Sequence, residues 1–444
     1  MLENFIVVMG GIIIGTFSGM MPGIGTSISL ILSAPILLHL DITHLFLFFM
    51  SVLSTAQFIG TIPSIFLGIP GESNSIPAVI EGTKFRKKKL SSLAIGLCAI
   101  GSVFGSIIAV GITTIFLPFL NNFLTVFLKD NFRIILYFIV LGSSLYVFNR
   151  QRFFLNFYLL LIGFGLSMIG PSTTSGTYRY TFGIEPLQNG IPFYPLIISV
   201  MVAPIIFNST NQNIVFYNSE EKIQSFWRVL ILFLRNISAS IRGAIIGFFS
   251  ALVPGFGTLL STTVSYTVES KINSSGPIKK ILSAETANNS GGFAMLLPLV
   301  LIGIPLTASE FILYNYLIEA GWSPFQFQNL EKNAVLLMQS LVPWFVFVNL
   351  VALIIAWPLA KILIHFLQKL KRHLNSLITI ICIATTIYLG LDNYQLFYYI
   401  SCLTLFSSIA IKFKEINLTP ILFSFILGND LEFVITRYIT LWTH

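Results

Sequence analysis

Residues 15–27 read GTFSGMMPGIGTS, and residues 247–259 read GFFSALVPGFGTL. Gly15/Gly247, Phe17/Phe249, Ser18/Ser250, Pro22/Pro254, Gly23/Gly255, Gly25/Gly257 and Thr26/Thr258 coincide at one constant offset. A second pair of phrases follows: FIGTIPSIFLGIP at 58–70 and FAMLLPLVLIGIP at 293–305. These share Phe58/Phe293, Pro63/Pro298, Gly68/Gly303, Ile69/Ile304 and Pro70/Pro305. Each phrase is an apolar run interrupted by proline and glycine. Matched interruptions in both halves of an apolar chain point to a transport site made from broken membrane helices.

Composition supports that class. The 444 residues are 55% hydrophobic and 9% charged, with a mean hydropathy of +0.86. A soluble chain of this length needs more surface charge. Many apolar stretches approach the ~20 residues that cross a bilayer as helix, whereas a membrane β-barrel would show short alternating strands. The expected fold is an all-α polytopic membrane protein. The net charge of +8 is read as a cytoplasmic loop bias, not as a nucleic-acid surface. The dense cluster KFRKKK at 84–89 is placed in a short loop. Cys98, Cys382 and Cys402 lie in apolar segments, with neither metal nor disulfide spacing. Trp227, Trp322, Trp344, Trp357 and Trp442 are assigned to interfacial belts, and Gly101/Gly105 to a close helix approach. The start MLENFIVV lacks a basic signal region, so the first apolar segment is expected to be retained.

Apolar runs and Lys/Arg placement trace a topology. Segments 5–21 and 24–40 form a pair broken at Pro22–Gly23. A crossing at 43–69, broken near its end, follows, then crossings near 91–119, 132–149, 153–169 and 191–207. After a polar stretch come a second broken pair at 240–266, a crossing ending near 318, and then 334–357, 376–393, 395–411 and 418–440. The N-terminus falls outside, and all basic residues except Lys129, Arg133, Arg179, Lys332 and Arg437 fall inside. Residues 1–207 are one transmembrane repeat, 208–239 a cytoplasmic connector, and 240–444 the second repeat. Between the paired phrases the first copy has no Lys or Arg, whereas the second has Lys271, Lys279 and Lys280. After the second phrase the pattern is exchanged. That is the signature of two inverted-topology repeats, each with broken helices or re-entrant hairpins.

The breaks are candidate substrate sites. Proline removes a backbone donor and glycine admits non-helical dihedrals. The restarted helix presents free N–H groups suited to a carboxylate. The candidates are Pro22, Gly23, Gly25, Thr26, Ser27, Gly71, Ser73, Asn74, Pro254, Gly255, Gly257, Thr258, Pro305 and Thr307. The alternative is a kink for close helix contact. Glu72 either joins this group or faces an aqueous loop. The stretch SAETANNSGG at 283–292 is the most polar intramembrane candidate. Glu285, Asn288, Asn289 and Ser290 are assigned to ion coupling, with Na⁺ near Asn288 and Asn289 or a proton on Glu285. The alternative there is a helix cap at the membrane surface. No catalytic residue and no other cofactor is expected, since nucleotide, zinc-protease and esterase motifs are missing from the sequence.

The ordered motifs resemble the TctA family, the large membrane subunit of tripartite tricarboxylate transporters. The resemblance is carried by Gly15, Gly19, Pro22, Gly23 and Gly25, then Ile69-Pro70-Gly71 and Glu81-Gly82. The central segment around Ser175-Gly176, Arg179 and Thr181-Phe182-Gly183 follows, then Glu285 with Ala287-Asn288-Asn289, and Pro298 to Pro305. The chain departs from the pattern at Leu306 and Pro171. The resemblance implies gradient-driven carboxylate uptake by alternating access in the bacterial inner membrane, without enzyme activity. It also implies a small TctB-like membrane subunit and a periplasmic TctC-like binding protein, and it allows a homodimer. The alternatives are a stand-alone organic-anion carrier, a channel or an intramembrane enzyme.

Overall fold

The computed structural model describes residues 1–21, 25–68, 70–127, 152–172, 177–202, 224–253, 257–272, 275–322 and 330–360. It also describes isolated positions within 138–145 and 362–436. The first half runs α1 (Leu2–Met20), α2 (Gly25–Leu32), α3 (Ala34–Leu37), α4 (Ile42–Phe66), α5 (Ile76–Lys87) and α6 (Ser91–Phe127). Then come α7 (Phe153–Ser167), an antiparallel pair of two-residue strands, β1 (Gly170–Pro171) and β2 (Tyr178–Arg179), and α8 (Phe193–Ile197). The second half runs α9 (Phe226–Arg235), α10 (Ile237–Ala251), α11 (Gly257–Ser270), α12 (Pro277–Ala294), α13 (Leu296–Ile302), α14 (Ala308–Glu319) and α15 (Leu330–Ala356).

Among the described residues, α1, α4, Ser91–Leu117 of α6 and Val335–Ala356 of α15 are long and apolar enough to cross a membrane. The pair α9–α10, bent by 72°, adds a fifth if counted as one span. The chain is thus a multi-pass helical membrane protein.

Glycines set the central crossings. A Cβ on Gly11 would lie 2.9 Å from the Phe48 carbonyl oxygen, and one on Gly15 2.7 Å from that of Val52. In the second half a Cβ on Gly243 would lie 2.3 Å from the Ser283 oxygen, and one on Gly247 2.4 Å from that of Ala287. Gly15 and Gly247 are partners in the repeated phrase. The α1–α4 and α10–α12 pairs therefore cross at corresponding residues, with backbones too close for any side chain between them. Contacts between the halves are reciprocal too. α6 lies on α12, where Gly105 admits the Thr286 carbonyl, and α15 lies on α4. The Ser106 hydroxyl donates to Asn349 Oδ1 at 2.6 Å, joining α6 to α15.

Several expectations need correction. The crossing at 43–69 is unbroken through Pro63 and ends at Phe66. The one ending near 318 is divided into α12, α13 and α14, with Gly303 left-handed at φ 70°. The stretch 24–40 holds only two short helices, and 153–169 holds 15 helical residues, fewer than a bilayer needs. The basic cluster is no loop, because Lys84, Arg86 and Lys87 form the last turn of α5. Pro77 opens that helix, and Glu81 pairs with Lys84 at 2.7 Å. Trp322 and Trp357 are buried; Trp357 fills the space over Gly96 and stacks on Phe226. Cys98 and Cys402 are buried. Most of segments 132–149, 376–393 and 395–411, about half of 418–440, and 203–223, Cys382 and Trp442 lie outside the described residues.

Candidate functional site

Both breaks restart a helix on a left-handed glycine, Gly25 (φ 57°) for α2 and Gly257 (φ 50°) for α11. Other residues are strained there. Pro22, Gly23, Pro254 and Gly255 lie outside the described residues.

The start of α2 holds an anion supplied by the chain itself. The Thr26 amide donates to Glu72 Oε1 at 2.7 Å, and the Thr26 hydroxyl donates to the same oxygen at 2.9 Å. A helix N-terminus favours such a charge. Glu72 is therefore turned into the break and away from an aqueous loop. Asn74 then joins the two halves: its Nδ2 donates to Glu72 Oε2 at 3.2 Å and to the Thr258 hydroxyl, at the start of α11, at 3.1 Å.

At the start of α11, position 307 stands where the repeat puts Glu72. A Cβ on Gly257 would lie 2.7 Å from Thr307 Cγ2. The Thr307 hydroxyl caps α14 by accepting from the Glu310 amide. Glu310, fully buried, accepts in return from the Leu306 and Thr307 amides at 2.7 and 2.9 Å. The spelling Thr307-x-x-Glu310 signals this capping box in the sequence, and Glu310 was nonetheless missed. α14 also reaches across, where the Tyr316 hydroxyl donates to the Leu30 carbonyl of α2.

Not every candidate faces this junction. Gly71 sits where a Cβ would lie 2.9 Å from the Gly19 carbonyl oxygen and 3.0 Å from Gly60 Cα. That is a close-contact role. Pro305 is buried just beyond the Gly303 turn, Ser27 is half-buried, and the Ser73 side chain is outside the description. Outside the junction, the Tyr266 hydroxyl of α11 donates to the buried Glu81 of α5 at 2.8 Å.

The polar stretch of the second half is helix interior. Ser283–Gly292 lies within α12, all of it buried, which overturns the surface-cap alternative. Ser290 donates to the Ala244 carbonyl of α10 at 2.7 Å, so its hydroxyl ties two helices together. Glu285 Oε2, Asn288 Oδ1 and Asn289 Oδ1 are buried without a hydrogen-bond partner. Gln57 of α4, which sequence reasoning did not single out, is also buried, with Nε2 unpartnered.

A multi-pass helical protein whose two halves break at corresponding glycines, and bring the broken ends together, has the design of a membrane transporter. The chain belongs to the Tripartite tricarboxylate transporter TctA family, which residues 5–423 match. It is 25% identical over 328 residues to an Agrobacterium vitis protein described as an uncharacterized 52.8 kDa protein in the TAR-I ttuC′ 3′ region. That similarity covers 72% of this chain and 65% of the relative, just under two thirds of its length. An uncharacterized protein of Methanocaldococcus jannaschii is 23% identical over 406 residues, covering 89% of this chain and 90% of that one. No solved structure matches the chain.

Proposed function

We propose that this chain is the large permease subunit of a binding-protein-dependent tripartite system importing di- or tricarboxylates in the bacterial inner membrane. Family membership supports the class. The observation that carries the site is the Asn74–Thr258 bond, which joins a break of each half at one junction. An incoming carboxylate is received at the α11 end, by Gly257 and Thr258 with Asn74, while Glu72 fills the α2 end. The stripe Glu285, Asn288 and Asn289 on α12 holds the coupling cation. The halves are inverted-topology repeats, a reading supported by the exchanged loop charges and the reciprocal helix contacts. They alternate access by sliding one paired-hairpin unit against the rest. A periplasmic binding protein delivers substrate, and a small membrane subunit completes the complex.

The test is uptake of labelled di- and tricarboxylates into proteoliposomes, with and without a Na⁺ gradient. The chain is assayed alone and then with its small subunit and binding protein. Gradient-dependent uptake that requires the partners is the expected result. Uptake by the chain alone removes the tripartite element, and silence with every carboxylate overturns the substrate class.

A further inference from the structure

We propose that Gln57 of α4 is a ligand of the coupling cation, so that the cation site is built from both halves of the chain. This rests on the reading that α12 holds that cation.

Gln57 is 3% exposed, and its Nε2 has no partner. In the repeat it corresponds to Gly292 of α12, and the two positions meet. A Cβ on Gly292 would lie 2.6 Å from Gln57 Oε1 and 2.7 Å from Nε2. Only a bare backbone there leaves room for the amide. From Gly292, one turn of α12 leads back to Asn288 and Asn289, and a second leads to Glu285. At 1.5 Å per residue this is one stripe about 10 Å long.

That stripe carries Glu285 Oε2, Asn288 Oδ1 and Asn289 Oδ1 without partners, and Ser54 Oγ, one turn before Gln57 on α4, is unpartnered as well. Buried polar atoms almost always have a partner, so a cluster of orphans calls for an ion or water. Gln57 can turn its amide oxygen to the same space, since the two ends of an amide are interchangeable. The neutral amide oxygens at the Gly292 end would ligate Na⁺, and Glu285, two turns away, would balance its charge from outside that shell. A divalent ion would retain positive charge there, and Mg²⁺ in addition keeps several waters. A cation held by Gln57 and α12 together ties the halves in one register.

The test is the thermal unfolding midpoint of the full chain in detergent, as NaCl replaces choline chloride at constant ionic strength. The midpoint of the natural protein is expected to rise saturably with Na⁺. Glu285→Gln should abolish the rise, and Gln57→Leu should weaken the apparent Na⁺ affinity by about tenfold or more. Gln57→Glu, which keeps an oxygen, should retain Na⁺ binding. Gly292→Ala should weaken it by displacing the Gln57 amide, and should add nothing to Gln57→Leu. If Gln57→Leu leaves the affinity unchanged while Glu285→Gln loses it, the Gln57 assignment is wrong and the α12 reading stands. If Glu285→Gln still responds, or the natural protein never does, the reading beneath it falls.

Discussion

At the start of α2, the amide and hydroxyl of Thr26 hold the Glu72 carboxylate. At the start of α11, a glycine of the same conformation is faced by Thr307, which brings no charge. The backbone repeats while the occupant differs. A helix end with a built-in carboxylate has little left to offer an anion, whereas at α11 the facing side chain is neutral and the Glu310 carboxylate behind it is taken up by the Leu306 and Thr307 amides. The two-fold logic of the sequence therefore predicts two equivalent anion sites, and on the proposed function the side chains at 72 and 307 leave one. Asn74, bonded to both Glu72 and Thr258, links the filled end to the open one.

The largest expected effect comes from making the ends alike. Thr307→Glu places a carboxylate where Glu72 sits in the first half. Juxtaposed like charges cost several kcal/mol, so substrate affinity should fall by at least about a hundredfold, with membrane insertion intact. Uptake kinetics in proteoliposomes read this directly. Normal uptake by that variant would break the assignment of substrate to the α11 end. The exchange Glu72→Thr with Thr307→Glu sharpens it, since binding should partly return at α2.

Next in size is the glycine seam. A Cβ would sit 2.4 Å from a carbonyl at Gly247 but 2.7 Å at Gly15. Overpacking of this kind costs roughly 1–3 kcal/mol. Gly247→Ala should approach or exceed the upper end, and Gly15→Ala should cost less. Thermal unfolding followed by size-exclusion monodispersity gives the order, and equal losses would show that the second half relaxes more easily than its distances imply.

A smaller change is expected from Glu72→Gln. The amide oxygen still accepts from Thr26, but the charge is gone, at a cost of about 1 kcal/mol in stability. Uptake should persist with a modestly altered KM. Complete loss of uptake would make Glu72 itself part of the transport chemistry and reverse the comparison.

These residues show what the sequence made legible. The left-handed glycines were readable, because Pro-Gly-x-Gly-Thr in an apolar run leaves the backbone few other choices. The buried stripe on α12 was readable too, because a carboxylate and two amides rarely enter an apolar region without a task. The direction of Glu72 was not, since a carboxylate beyond a Gly-Ile-Pro turn can follow either the loop or the break. That choice depends on α2 lying close by. The basic end of α5 read as a loop because its charges hid a helix opened by Pro77 and held by the Glu81–Lys84 pair. Gln57 escaped notice because its significance lies in a glycine of the other half.

The two central helices also differ at their starts, and this sets the smallest prediction. Asp41 caps α4 by accepting from the His44 amide at 2.9 Å, while His44 Nδ1 contacts its other oxygen and Nε2 reaches Asn4 of α1. α12 begins at Gly276–Pro277 with no side-chain cap. Burial alone would raise the Asp41 carboxyl, but the His44 hydrogen bonds and charge outweigh it and hold the carboxyl below its ordinary value. A depressed acid stabilises the fold above its unfolded pKa and loses that contribution as pH falls through the folded one. Asp41→Ala should therefore cost about 1 kcal/mol near neutral pH and progressively less below about pH 4. Gly276→Ser, which supplies the missing cap, should add a few tenths of a kcal/mol (about 0.3) to the second half. Unfolding midpoints of both variants at neutral and acid pH decide it. A loss at Asp41 that persists at low pH would assign the effect to the His44–Asn4 tether between α4 and α1, with the cap itself contributing little.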